Sequence, residues 1–165
     1  MSGGMELYLH MPFCVRKCAY CDFLSFPSGA ETQRMYAKRL MEDIDVMGKR
    51  YGEIPVETIF IGGGTPSVPD SALIVEIMEH VRHAFHVADG AEISMEANPG
   101  TVTREKLTDY RKAGINRLSF GLQSANDQEL KLLGRIHTWA EFLESFTLAR
   151  ECGFANLNID LMSAL

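Results

Sequence analysis

Short runs rich in β-branched and aromatic residues alternate along this chain with longer segments whose apolar positions recur every three to four residues. The first run, Glu6-Leu-Tyr-Leu-His10, predicts a strand. A helix follows over about residues 31–50, where Tyr36, Leu40, Ile44, Met47 and Tyr51 form one apolar stripe. Thr58-Ile-Phe-Ile-Gly62 reads as an apolar strand covered on both faces. It leads to a helix from about Asp70 that turns Ile74, Ile77, Met78, Val81 and Phe85 inward. Glu92-Ile-Ser-Met-Glu-Ala97 is the third strand, and the helix after it runs from Thr103 to a stop at Gly114. The fourth strand, Arg117–Gln123, is entered with almost no loop. Two helices come next: Asn126 with Glu129 opens one that Gly134 ends, and Thr138 with Glu141 opens another that buries Phe142, Phe146 and Ala149 and stops at Gly153. Asn156-Leu-Asn-Ile-Asp-Leu-Met162 is the fifth strand.

A βα unit every roughly 30 residues predicts an α/β fold with a parallel sheet and right-handed crossovers. The residues best suited to chemistry decide between an open sheet and a barrel. They fall at the carboxyl ends of all five strands: three cysteines after the first, Gly62 to Thr65 after the second, Glu96 to Pro99 at the third, Gln123 at the fourth and Asp160 in the fifth. That distribution predicts a partial (β/α) barrel, since a doubly wound sheet concentrates such residues at one switch point.

The 165 residues, 46% of them apolar, are enough for a single domain, 1–165, with a substantial core. A net charge of −6 with no run of Lys and Arg excludes a nucleic-acid or anionic-membrane surface. No stretch approaches the roughly 20 apolar residues of a membrane span. The opening Met-Ser-Gly-Gly-Met-Glu has neither a basic nor an apolar leader segment, so a cytoplasmic location is expected.

Three of the four cysteines, Cys14, Cys18 and Cys21, crowd one short loop after the first strand. That favours a reduced, metal-binding role over two disulfides. The spacing C-x3-C-x2-C leaves one metal position without a protein ligand. A structural zinc site closes its tetrahedron with four ligands, whereas three thiolates on one loop can hold a [4Fe–4S] cube with its fourth iron open. Cys152, in phase with Ala149 on an amphipathic helix, reads as a small buried apolar residue and not as a ligand.

Other residues carry two readings each. Gly62-Gly-Gly-Thr-Pro66 is either a tight βα turn or uncluttered backbone for a zwitterionic or phosphate group; it lacks the P-loop and dinucleotide-binding patterns. Glu96 either caps its strand or accepts bonds from vicinal hydroxyls. Gln123 and Asp160 pair with a ligand or with neighbouring strands, because unpaired polar burial is costly. Arg135 clamps a carboxylate or is simply solvated. Tyr8 fills the core or offers its hydroxyl; Tyr20, between two cysteines, shields a cluster and packs on its ligand. His10 and His137 have no partner at ligand spacing and read as core or surface histidines.

Taken in order, Cys14-x3-Cys18-x2-Cys21, Gly62-Gly-Gly-Thr-Pro, Glu96-Ala-Asn-Pro and Arg117-x-Ser-x-Gly-x-Gln123 resemble the radical S-adenosylmethionine superfamily over essentially the whole chain. Tyr-x-His-x-Pro-Phe-Cys and Cys-Asp-Phe resemble the oxygen-independent coproporphyrinogen III oxidase family, in its haem-chaperone branch. The resemblance implies that Cys14, Cys18 and Cys21 ligate three irons and that S-adenosylmethionine chelates the fourth. It further implies that Gly63, Gly64 and Thr65 hold the methionine end, Glu96 takes the ribose, and Tyr8 and Tyr20 flank the cofactor. Gln123, Arg135 and Asp160 match positions that contact a second S-adenosylmethionine in the oxidase. The implied chemistry is one-electron cleavage of the sulfonium to a 5′-deoxyadenosyl radical, and the implied partners are haem or a porphyrinogen.

Phe23 stands where the oxidase has a further cysteine, so the resemblance favours haem binding and transfer over decarboxylation. Oxidative decarboxylation of coproporphyrinogen and a non-catalytic thiolate metal site are the two rival functions. Beyond Asp160-Leu the family continues into Tyr-Gly-Leu-Pro, whereas this sequence reads Met-Ser-Ala-Leu165. The expectation is an N-terminal piece of a radical S-adenosylmethionine barrel, truncated after the fifth strand. It would lack the sixth strand, the haem-associated His-Asn-x-x-Tyr-Trp segment and a C-terminal domain. The fifth strand's edge, about Asn156 to Met162, is then expected to be unpaired and apolar on both faces.

Overall fold

The computed structural model describes residues 3–163, so the readings that involve Met1, Ser2, Ala164 and Leu165 lie outside the described residues. Five strands form one sheet: β1 (Met5–Met11), β2 (Val56–Gly63), β3 (Val87–Ala97), β4 (Arg117–Gln123) and β5 (Asn156–Leu161). Every neighbouring pair is parallel and the spatial order equals the chain order, with no reversal point such as a doubly wound sheet requires. The crossovers are α1 (Ala30–Tyr51), α2 (Ser71–Ala84), α3 (Arg104–Lys112) and the pair α4 (Asp127–Leu132) and α5 (Trp139–Glu151). The partial-barrel expectation therefore holds.

Helix starts follow the sequence signals closely. Asp70, Thr103, Asn126 and Thr138 each accept a backbone N–H as N-cap, and Thr138 with Glu141 completes a capping box. Gly114, Gly134 and Gly153 close the turns after α3, α4 and α5 with positive φ. Between sheet and helices, Ile59, Ile61, Ile93, Met95, Leu118 and Phe120 pack against Ile74, Ile77, Met78, Val81, Leu107 and Phe142. Each such buried side chain contributes about 1.5–3 kcal/mol relative to exposure.

Three packing expectations are corrected. Strand β2 is covered only on its helical face: Ile59 and Ile61 are buried, while Phe60, on the opposite face, stays half-exposed and stacks on Tyr8. The apolar stripe of α1 is rotated, burying Gln33, Ala37 and Ile44 and leaving Met47 51% exposed. The cause is a close helix crossing: a Cβ on Gly48 would stand 2.6 Å from the Ala84 methyl, so Gly48 takes the inward position. Strand β5 is not apolar on both faces. Asn158 and Asp160 share one face with Ser119, while Leu157 packs against the core on the other.

Register sets which side chains share the concave face away from the helices. Tyr8, Phe60, Ser94 and Arg117 stand in one row, and Glu96, Ser119 and Asn158 in the next. Apart from Phe60 these residues carry polar groups, as a barrel interior that holds a ligand requires, and the rows lead toward the strand ends where the cysteines lie.

Candidate functional site

The cysteine loop leaves β1 through Phe13, which is fully buried and packs edge-on against Phe26 and Tyr36. Two backbone bonds close its base, Cys14 N–H to Phe26 O at 3.2 Å and Phe26 N–H to Pro12 O at 2.9 Å. The far side is held by the turn after α4: Ala19 N–H donates to Leu133 O at 3.1 Å, and Arg16 Nη2 donates to Gly134 O at 2.7 Å. Sequence neighbours and a distant helix turn thus position the three half-buried thiols together.

The glycine loop after β2 presses directly on this segment. Gly64 N–H donates to Met11 O at 2.8 Å and Thr65 N–H to Phe13 O at 2.7 Å. A Cβ at Gly64 would lie 2.7–2.9 Å from backbone atoms of Phe13 and Met11, so only glycine permits the approach. Gly63, with φ +114°, backs onto the His10 ring and gives its N–H to Glu96 Oε2 at 3.0 Å. Burial raises the Glu96 carboxyl above its ordinary range, and the Gly63 bond opposes that shift.

Cys14, Cys18, Cys21, Gly63, Gly64, Thr65, Glu96, Tyr20, Gln123, Arg135 and Asp160 all line one open pocket at the carboxyl end of the sheet. Arg135 is not a solvated surface group. Its Nη2 donates to Asn98 Oδ1 at 2.7 Å and to Gly121 O, and its Nη1 reaches Cys18 Sγ at 3.6 Å and Tyr20 Oη at 3.4 Å. Burial raises the Tyr20 hydroxyl, which the Arg135 charge partly offsets. Gln123 ends β4 in a left-handed conformation, φ 72°, an uncommon state for a residue with a Cβ and typical of ligand clamps. Asp160 is exposed, with Ser119 and Asn158 donating to it, so its predicted burial is corrected: it faces the open concave side.

Tyr8 lies outside this pocket. It is 58% exposed, stacks on Phe60 and bonds His10 Nδ1 at 3.1 Å, so it neither fills the core nor lines the thiol pocket. Cys152 bonds weakly to Arg104 O, packs on the core and lines no part of the pocket. His137 is buried, 4% exposed, and neither ring nitrogen makes a bond of ordinary geometry. Sequence reasoning quoted Asn98 only as part of a motif and assigned it nothing, yet its amide joins Arg135 to Thr65, Nδ2 donating to Thr65 Oγ1 at 2.9 Å. Its place two residues beyond Glu96 was the available signal.

The donor set fits a cluster: three thiols from one loop line a single pocket, which suits a cube whose irons each take a different sulfur. Bare glycine backbone and a carboxylate beside them can receive a zwitterion and its attached hydroxyls.

The radical SAM superfamily model matches residues 8–164, and the chain belongs to that superfamily. Membership implies a [4Fe–4S] cluster and S-adenosylmethionine. The chain is 43% identical over 162 residues to the heme chaperone HemW of Escherichia coli K12, covering 98% of this chain and 43% of that protein. It is 36% identical to HemW of Bacillus subtilis 168, covering 96% and 42% respectively. Among solved structures, the coproporphyrinogen III oxidase HemN of Escherichia coli, a radical SAM enzyme, superposes with a TM-score of 0.86 at 30% identity over 96% of this chain and 37% of that one. The chain thus spans less than half the length of each of these relatives. Among the described residues no helix is long and apolar enough to cross a membrane.

Proposed function

We propose that this chain is the cluster- and S-adenosylmethionine-binding core of a HemW-type protein whose role is to bind haem and pass it on. The observation that carries this reading is the single pocket in which three loop thiols, a clasped glycine loop and a half-buried carboxylate meet. Cys14, Cys18 and Cys21 hold the cluster; Gly63, Gly64 and Thr65 receive the methionine end; Glu96 takes the ribose. When bound, the cluster would supply one electron to the sulfonium of S-adenosylmethionine. The protein's own contribution is orientation. The clasp of Gly64 on Met11 fixes the backbone of the glycine loop, Glu96 is aimed by the Gly63 N–H, and Arg135 brings positive charge beside Cys18.

Similarity to the HemW proteins and Phe23, where the oxidase carries cysteine, support haem handling over decarboxylation. Tyr20, Gln123 and Asp160 border the open side, where a second small molecule or the haem itself can approach. A cytoplasmic site of action is part of this proposal. Haem titration of the reconstituted protein, beside an assay for decarboxylated coproporphyrinogen, separates the rivals: saturable haem binding without product supports the chaperone reading, and product formation overturns it.

A further inference from the structure

The contacts of Asn98 fix the direction of a hydrogen-bond chain that ends on a thiol. Arg135 has only donors, so the atom of Asn98 that meets Arg135 Nη2 at 2.7 Å is the amide oxygen. The amide nitrogen therefore faces Thr65 and donates to Oγ1 at 2.9 Å. With that lone pair engaged, the Thr65 hydroxyl proton is free for its other neighbour, Cys14 Sγ at 3.6 Å. A thiolate that ligates iron has no proton to give, so in the loaded protein Thr65 must be the donor of that pair. Thr65 is 3% exposed, which keeps water from substituting for Asn98. Asn98 is itself held, its N–H on Ser67 Oγ at 3.2 Å and its carbonyl accepting from Thr101.

We propose that Asn98 is a positioning residue that aims the Thr65 hydroxyl at the Cys14 sulfur and so raises the reduction potential of the cluster. The same Arg135 guanidinium donates directly toward Cys18 through Nη1, so one cation polarises two ligand sulfurs, one directly and one through Asn98 and Thr65. Donors to cluster sulfurs stabilise the more negative, reduced form, and their loss moves the potential downward. This inference rests on the cluster reading of the pocket given above.

The test is a redox titration, followed by electron paramagnetic resonance, of four anaerobically reconstituted proteins: parent, Thr65→Val, Asn98→Asp and the double variant. Asn98→Asp keeps an oxygen for Arg135 but turns the other amide atom into an acceptor, which draws the Thr65 proton away from Cys14. It also adds charge, and the Thr65→Val background isolates that effect. The expected result is a downward shift for each single variant, with Asn98→Asp shifting the potential less in Thr65→Val than in the parent. Equal shifts in both backgrounds overturn the proposal. Resonance Raman spectra of the parent and Thr65→Val in light and heavy water give a second reading that does not depend on Asn98→Asp folding. A deuterium-sensitive iron–thiolate stretch that Thr65→Val removes supports donation to Cys14, and a spectrum that Thr65→Val leaves unchanged contradicts it. A parent that takes up no cluster removes the reading of the site and this proposal with it, whereas a loaded parent with additive shifts removes this proposal alone.

Discussion

Replacing Gly64 with Ala tests whether the glycine loop is clasped to the cysteine segment or merely turns beside it. The added methyl would stand 2.7 Å from Phe13 O, 2.8 Å from Met11 O and 2.9 Å from Phe13 N. All three are backbone atoms, and Phe13 is fully buried, so no side-chain rotation relieves the clash. The segment must part, straining the 2.8 Å bond from Gly64 N–H and the 2.7 Å bond from Thr65 N–H. Overpacking of this kind costs about 1–3 kcal/mol, and each weakened bond adds on the order of 1 kcal/mol. A loss of about 3–5 kcal/mol is expected, or roughly 6–20 °C in Tm for a chain of this size. Urea unfolding of the metal-free protein measures it, with Gly29→Ala as the comparison because nothing lies within 4 Å of that position. Gly29→Ala should change stability by less than about 1 kcal/mol, the cost of a weaker N-cap. If Gly64→Ala unfolds at the same urea concentration as the parent, the clasp is not what holds the loop.

Three further outcomes follow from the same geometry. Burial and the Arg135 charge depress His137 to about 4 from an ordinary 6.5, so the folded chain keeps it neutral. A depressed value makes stability complete above pH 6.5 and lost as pH falls toward 4; about 3 kcal/mol should go across that window in the metal-free parent, and His137→Gln should flatten that part of the urea-unfolding profile. Cys152→Ser should leave iron content unchanged after reconstitution while Cys18→Ser abolishes or severely depletes it; the opposite pattern would mean the ligand set has been misassigned. Glu96→Ala should weaken S-adenosylmethionine binding by roughly ten- to hundredfold in equilibrium dialysis, the loss of a charged hydrogen-bond partner worth on the order of 1.5–3 kcal/mol. Unchanged affinity would take Glu96 out of the site.

Local signals carried most of the fold. Caps at Asp70, Thr103, Asn126 and Thr138, and glycines at 114, 134 and 153, act within a turn of the residues they order, so one window of sequence contains the whole cause. Strand β4 was legible to its ends for the same reason. What failed depended on distant partners. The rotation of α1 follows from its contact with Ala84 at Gly48, and the half-exposed Phe60 depends on which face of the sheet the helices cover. The cysteines announced themselves by spacing and type. Arg135 did not, because its role comes from Asn98, Gly121 and Cys18, which its own neighbourhood in the chain does not contain. Asn98 was missed likewise: an asparagine before a proline reads as a turn until Thr65 and Arg135 are seen on either side of it.

The central claim is that the three loop thiols hold an open-sided cluster that S-adenosylmethionine completes. Anaerobic reconstitution with iron and sulfide, followed by metal analysis and electron paramagnetic resonance of the reduced protein with and without S-adenosylmethionine, addresses it most directly. About four irons and four sulfides per chain are predicted, with a reduced-cluster signal that changes shape when S-adenosylmethionine is added. Binding of a single zinc in place of iron, or a four-iron signal indifferent to S-adenosylmethionine, would contradict the account.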